Sequence, residues 1–349
     1  MLETAFTVTT SAFFLAGILL WVLNLRRVAA GGNLIEPRDQ RGIPFGFLDL
    51  ILLYFFMAVG NLVPAWSICQ ILGIEISEIS KLEGNDQAMY SAASAVGLFT
   101  CVFLTLLVYR LRYGAISLFA GLWRRHPNDI ILGLGAGVMA IPLILFFQWT
   151  ITQFLDYQHD TLEMLADKPT LWVIGASWLS AVVVAPICEE IIFRGVLQGW
   201  LQRIGRSIYD GVLVGGWDSA ILKKDGGQTK DIIPPGFSGT PYEPPAPSSP
   251  RGNLLEGEGD ANLAGNWSRR SNSYWPMVIS SALFGLAHVG QGPAPITLFF
   301  FGLVLGYLYR KTGSLISCIV LHMMLNGFTM FWFTLQVLFG DAPATGAVN

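Results

Sequence analysis

The sequence predicts an all-α polytopic membrane protein with about eight transmembrane helices and a polar site embedded in the membrane. Of its 349 residues, 53% are hydrophobic and only 13% are charged, whereas soluble domains carry about 25% charged residues. Apolar runs long enough to cross a bilayer recur along the chain. One of these runs contains Glu189, Glu190 and Arg194. Because ionisable groups at bilayer depth face a protein interior or a wet cavity, these residues predict a buried polar site.

Hydropathy divides the chain into eight candidate spans. They cover residues 5–25, 46–71, 89–109, 130–155, 171–203, 275–289, 295–309 and 315–339. The sixth and seventh are short beside the roughly 20 residues that a membrane helix needs. A tight break, Gly290-Gln-Gly-Pro-Ala-Pro295, separates these two spans.

The loop charges predict the orientation. Basic residues follow the first, third and seventh spans, whereas the second and fourth loops are acidic. The positive-inside rule therefore places the odd-numbered loops in the cytoplasm and both termini on the outer side. The basic residues concerned are Arg26, Arg27, Arg38, Arg41, Arg110, Arg112, Arg124, Arg125, Arg310 and Lys311. A net charge of −3, without a basic cluster among aromatics, argues against a nucleic-acid partner.

Composition suggests three regions. Residues 1–170 form a four-helix transmembrane region, and residues 171–205 with 274–339 form a second membrane core that contains the polar residues. Between the two parts of that core, residues 206–273 are rich in proline and glycine, which predicts a disordered cytoplasmic insertion. The insertion is either tolerated without a function or docks a partner or the membrane.

Small residues predict close helix packing. Gly133 and Gly137, and likewise Gly302 and Gly306, have the four-residue spacing that lets two helix backbones approach. The four cysteines lie in apolar segments without paired spacing. We interpret them as small buried hydrophobic residues rather than as disulfides or metal ligands.

The two adjacent glutamates predict different roles. On an α-helix Glu190 and Arg194 are one turn apart and share a face, so they can pair. Glu189 is rotated by roughly 100° and faces elsewhere. For Glu190 and Arg194 we favour a structural ion pair, which leaves Glu189 as the carboxylate available for chemistry.

Two of the four histidines lie within apolar segments. His288 follows Phe284, and His322 precedes Asn326, by one helical turn in each case. A lone membrane histidine is most often a helix-bridging hydrogen bond, and a lone asparagine joins helices in the same way. Here three apolar helices each present a titratable group, and this joint occurrence favours a functional site.

Three motifs on successive apolar segments resemble those of the CPBP family. In chain order they are Glu189-Glu190-x-x-x-Arg194, Phe284-x-x-x-His288 and His322-x-x-x-Asn326. These are the Rce1-like CAAX-processing and bacteriocin-processing intramembrane proteases, often labelled metalloproteases. The resemblance covers about residues 171–339. It implies catalytic roles for Glu189, His288, His322 and Asn326, with Glu190, Arg194 and Phe284 in support. The long 206–273 insertion departs from the family pattern.

The resemblance implies an intramembrane endopeptidase, which we expect in a bacterial plasma (inner) membrane. Glu189 and His288 would hold and deprotonate water, while His322 and Asn326 would donate hydrogen bonds to the oxyanion. The implied substrate is a membrane-associated peptide, either a prenylated CAAX C-terminus or a leader peptide. No cofactor is required by this scheme, but zinc on Glu189, His288 and His322 stays open because two histidines and a glutamate form a known zinc set.

Two other functions use the same groups. A proton-coupled transporter would employ the buried glutamate and histidines as a relay. A non-catalytic membrane scaffold would keep them for packing alone. The peptidase hypothesis requires Glu189, His288, His322 and Asn326 to converge on a polar cavity that opens to the cytoplasm.

Overall fold

A computed structural model describes residues 2–38, 46–82, 84–113, 126–155, 170–209 and 273–339. Within these ranges the chain forms eight principal helices and one short 3₁₀ segment, Ile76–Lys81, so the predicted all-α class is confirmed. The fifth helix, α5, is capped by Thr170 and runs without a break over Leu171–Tyr209. The others are α1 Leu2–Ala29, α2 Phe47–Leu72, α3 Gly84–Tyr113, α4 Asp129–Thr152, α6 Trp275–Leu286, α7 Ala294–Thr312 and α8 Leu315–Phe339.

Six of these helices are long and apolar enough to cross a membrane, namely α1 to α5 and α8. Helix α6 has only 12 residues. At about 1.5 Å per residue it extends about 18 Å, which is shorter than a hydrocarbon core of about 30 Å. It packs along α7 as a helical hairpin. The six long apolar helices make the chain an integral membrane protein, and α6 and α7 pack together as a pair within it.

Helix α5 is the central element. Every residue of its segment Glu190–Gln198 is buried, and α2, α6, α7 and α8 all contact this segment. Its hydrogen bonding is not uniform, because Leu179–Val184 and Glu190–Gln198 are π-helical and flank a single α-helical stretch, Ala185–Glu189. Such π-segments occur frequently at functional sites. Helix α5 continues to Tyr209, four residues into the predicted insertion.

The end of α6 differs from the prediction. The sequence predicts a helix over residues 275–289 that includes His288, whereas α6 ends at Leu286 and His288 lies in the following turn. The turn is set by Gly290, whose φ of 106° is readily adopted only by glycine. Hydropathy could not detect this because Ala287, His288 and Val289 continue the apolar run.

The predicted small-residue packing is confirmed. A Cβ atom added at Gly133 would lie 2.7 Å from the backbone oxygen of Ser317, which shows how closely α4 approaches α8. A Cβ atom at Gly302 would lie 3.0 Å from the Cβ of Ser281, where α7 approaches α6. Since α4 packs directly on α8, the N-terminal helices form one wall of the region that holds the polar site.

Two buried carboxylates join helix ends on the side predicted to be cytoplasmic. Asp129, at the start of α4, pairs with Arg38 and accepts a 2.8 Å hydrogen bond from the hydroxyl of Ser314 between α7 and α8. Asp49, near the start of α2, pairs with Arg112 at 3.1 Å. These links are consistent with the predicted alternation of loops, but the orientation itself stays a prediction. Arg41, Arg124, Arg125 and residues 210–272 of the insertion lie outside the described residues.

Candidate active site

The two adjacent carboxylates of α5 point to different surroundings. Glu190 is fully buried, and its Oε2 lies 3.3 Å from the Nε of Arg194, as the one-turn spacing predicts. The side chain of Glu189 is 20% exposed and does not take part in that pair. Part of the Glu189 side chain therefore lies at the protein surface, whereas protein surrounds Glu190 completely.

Glu189 lies between two histidines from different helices. Its Oε1 is 3.9 Å from the Nε2 of His288, and its Oε2 is 3.8 Å from the Nε2 of His322. Both separations exceed a direct hydrogen bond, which ends near 3.5 Å, so neither ring bonds directly to Glu189 as placed. The structure thus brings together the three titratable groups that the sequence placed on three separate helices.

The ring of His322 is held by the second carboxylate. Its Nδ1 lies 2.9 Å from Oε1 of Glu190, and the residue is only 3% exposed. Because the carboxylate of Glu190 is paired with Arg194, it acts as an acceptor, so Nδ1 of His322 is the donor. This bond aims Nε2 at Glu189 and selects the proton position on the ring.

A backbone carbonyl orients the ring of His288 in the same way. Its Nδ1 lies 2.9 Å from the carbonyl oxygen of Phe284. Since a carbonyl can only accept, Nδ1 carries the proton and the lone pair of Nε2 faces Glu189. The ring of Phe284 makes edge contacts with both His288 and His322, at centroid distances of 5.3 and 5.8 Å. The predicted pairing of Phe284 with His288 is therefore present even though His288 lies in a turn.

Arg194 has contacts that sequence spacing did not indicate. Its guanidinium carbon lies 4.4 Å from the ring centroid of Phe284, and its Nη2 is 3.4 Å from the carbonyl oxygen of Gly302. One turn further along α5, Gln198 donates a 2.9 Å hydrogen bond to the carbonyl oxygen of Gly306. The i, i+4, i+8 spacing of Glu190, Arg194 and Gln198 was a signal that sequence reasoning missed. This polar row follows the glycine-lined face of α7.

Asn326 occupies a different place from the other predicted site residues. Its Nδ2 donates a 2.8 Å hydrogen bond to the carbonyl oxygen of Ala181, two turns before Glu189 on α5. Among the described contacts, Glu189, His288 and His322 converge, whereas the bond of Asn326 joins α8 to the first π-segment. His322 lies one turn away from Asn326 on the same helix.

The separations at the site are wider than those that a zinc ion would impose. A zinc ion bound at about 2.0–2.2 Å holds neighbouring tetrahedral ligand atoms about 3.3–3.6 Å apart. The two histidine nitrogens instead lie 3.8 and 3.9 Å from different oxygens of Glu189. In the part of the chain that the structure describes, no three His, Cys, Asp or Glu side chains are grouped for a metal ion. The residues as placed do not fit a three-ligand zinc site, and no chemical step is assigned to one.

Comparison with known proteins agrees with the motifs. Residues 171–222 and 261–328 match the model of a family described as type II CAAX prenyl endopeptidase Rce1-like. The match includes Glu189, His288 and His322 and leaves residues 223–260 out. No curated protein and no solved structure matches the chain. Over 120 of its 349 residues, which include Glu189, His288 and His322, the chain is thus similar to the Rce1-like family of endopeptidases.

Proposed function

We propose that the protein is an intramembrane endopeptidase in which Glu189 and His288 activate water to hydrolyse a peptide bond. The observation that supports this most strongly is the exposure pattern. Glu189 and His288 are 20% and 19% exposed, respectively, whereas His322 and Glu190 are nearly or fully buried. This pattern supports access of a reacting water to one carboxylate and one imidazole together, with the buried pair as their support.

In the proposed reaction, a water molecule donates one hydrogen to Glu189 and the other to the lone pair on Nε2 of His288. The water oxygen attacks the peptide carbonyl carbon while its proton passes to Glu189, and the carbonyl becomes an oxyanion. The C–N bond then breaks, and Glu189 returns the proton to the leaving nitrogen. The products are a new carboxyl terminus and a free amine, and the glutamate is regenerated.

His322 and Asn326 are assigned to the oxyanion. When His322 is protonated on both nitrogens, Nδ1 donates to Glu190 and Nε2 donates towards the reacting carbonyl. The carboxylates of Glu190 and Glu189 then face the two positive charges of Arg194 and the imidazolium. Asn326 uses one of its two amide hydrogens on Ala181, which leaves the second as a donor. Loss of one oxyanion donor typically raises the barrier by about 2.7–4 kcal/mol.

The substrate is proposed from the family. The family description names CAAX prenyl endopeptidases, so a prenylated C-terminal peptide is the first choice and a leader peptide is the second. Both are membrane-associated, as a site on a membrane-embedded helix requires. We also propose that the protein lies in a bacterial plasma membrane. The loop charges support an orientation in which the site opens to the cytoplasm.

The test compares peptides released in membranes that contain either the wild-type protein or the Glu189→Ala variant. Products with new C-termini should appear with the wild-type protein and be absent with the variant at equal protein levels. The matched control is Glu83→Ala, which changes an acidic residue of the second loop. Identical product sets for wild type and Glu189→Ala, accompanied by proton flux into proteoliposomes that requires Glu189, would favour the transporter instead.

A further inference from the structure

The first π-segment of α5 has an acceptor that its own backbone cannot satisfy. In this segment the N–H of Ala185 bonds to the carbonyl of Ser180, five residues earlier. In the same register, the carbonyl of Ala181 would receive its hydrogen from residue 186. Position 186 is a proline, which has no N–H. The sequence of α5 thus removes the backbone donor that the Ala181 carbonyl would otherwise have.

A side chain from another helix supplies a donor at this place. The amide Nδ2 of Asn326 on α8 lies 2.8 Å from the oxygen of Ala181. Prolines within membrane helices are tolerated when a neighbouring helix or a local π adjustment satisfies the freed backbone groups. Both devices are present here, the π-segment Leu179–Val184 and the amide of Asn326.

We propose that Asn326 is a positioning residue whose amide replaces the N–H that Pro186 lacks, so that Pro186 and Asn326 act as a coupled pair. The pair is close to the site in sequence on both helices. Pro186 precedes Glu189 by three residues, and Asn326 follows His322 by one turn. The bond therefore sets how α8 is aligned along α5, and with it the 3.8 Å approach of His322 to Glu189. This role does not depend on the reaction that the site performs.

A double-mutant cycle with thermal unfolding in detergent tests the proposal. Asn326→Ala should lower Tm in the wild-type helix, because the Ala181 carbonyl then has no donor. In Pro186→Ala, residue 186 has an N–H. In the π-helical register this N–H bonds to the Ala181 carbonyl, and if the segment reverts to an α-helix the N–H of Ala185 bonds to it instead. The loss of Tm caused by Asn326→Ala should therefore be much smaller in the Pro186→Ala background.

Ser280 provides the matched control. Its hydroxyl donates a 2.8 Å hydrogen bond to the carbonyl of Phe193, which lies in the second π-segment of α5 and is unrelated to Pro186. Ser280→Ala should lower Tm by the same amount with and without Pro186→Ala. If Pro186→Ala reduces the Tm loss of Ser280→Ala as much as that of Asn326→Ala, the effect of the proline is general and not a specific coupling to Asn326.

The remaining outcomes also decide the matter. If Asn326→Ala does not accumulate, restoration of accumulation by adding Pro186→Ala supports the pair, and failure to restore it overturns the pair. Additive Tm losses, or failure of Pro186→Ala alone to fold, overturn it as well. Peptidase activity is read separately. Low turnover in a stable double variant agrees with an oxyanion role for Asn326, whereas recovered turnover shows that its role is positioning alone.

Discussion

At the scale of single residues, Glu189 and Glu190 provide an internal comparison, since they are adjacent and chemically identical. Glu190 is fully buried against Arg194 and His322. We predict that Glu190→Gln lowers the free energy of unfolding by about 3–5 kcal/mol, because removing one partner leaves a buried charge uncompensated. Thermal and denaturant unfolding of the purified protein measures this effect.

Glu189→Gln is the matched control for that experiment. Its side chain is partly exposed and 3.8 Å or more from both histidines, so we expect Tm to stay close to that of the wild type. Its cleavage rate should nevertheless fall by about 10²–10⁴-fold. Equal destabilisation by the two substitutions would show that the carboxylates share one structural role, which contradicts the division proposed here.

The sequence predicted only some of these contacts. Glu190 and Arg194 are on one helix, so the helical period was enough to pair them. The bond between Glu190 and His322 depends on how α8 lies against α5, which periodicity does not contain. The spacing from His322 grouped Asn326 with the reacting residues. Its amide instead donates to the carbonyl of Ala181 on α5, which lacks a backbone donor because residue 186 is a proline.

At the scale of helices, the close approach of α7 to α6 supports the site. Gly302 leaves room for Ser281 and for Phe284, and its carbonyl accepts from Arg194. We predict that Gly302→Ala destabilises the protein by about 1–3 kcal/mol, the usual range for overpacking, and reduces turnover as Phe284 is displaced. Unfolding and cleavage are measured on the same preparation.

Gly135→Ala is the control for this substitution. Gly135 is a helical glycine of α4, and a Cβ atom there would meet nothing within 4 Å. Because alanine also favours the helix, this variant should be as stable as the wild type or slightly more so. A loss of stability at Gly135 as large as that at Gly302 would indicate that any glycine change disturbs the protein, irrespective of packing.

The number and order of the helices could be predicted far better than their hydrogen-bond register and their ends. The eight apolar runs correspond to eight helices because the bilayer demands long apolar segments. The π-segments of α5 and the end of α6 at Leu286 could not be predicted in this way. Hydropathy averages over many residues, whereas these features depend on single positions such as Pro186 and Gly290.

At the scale of the whole molecule, the insertion is expected to be separable from the fold. The family match stops at residue 222 and resumes at 261. We predict that deletion of about residues 225–265, joined by a short flexible linker, leaves accumulation, Tm and cleavage rate unchanged. Loss of accumulation, measured by quantitative immunoblotting of membranes, would show instead that the segment packs as part of the protein.

The orientation can be tested with introduced cysteines, because Cys69, Cys101, Cys188 and Cys318 are all buried and should label poorly. The exposed Ser77 follows α2 and the exposed Asn33 follows α1. In intact cells, a membrane-impermeant maleimide should label Ser77→Cys, and it should label Asn33→Cys only after permeabilisation. The reverse pattern would invert the topology and place the opening of the site on the outer side.

The most direct measurement is single-turnover cleavage of a prenylated C-terminal peptide by the purified protein in H₂¹⁸O, followed by mass spectrometry. If Glu189 activates water, the new carboxyl terminus of the product carries ¹⁸O, the protein carries none, and Glu189→Gln slows the reaction by about 10²–10⁴-fold, as general-base catalysis implies. Cleavage by Glu189→Gln at the wild-type rate, or ¹⁸O found in a protein carboxylate instead of the product, would contradict the proposed mechanism.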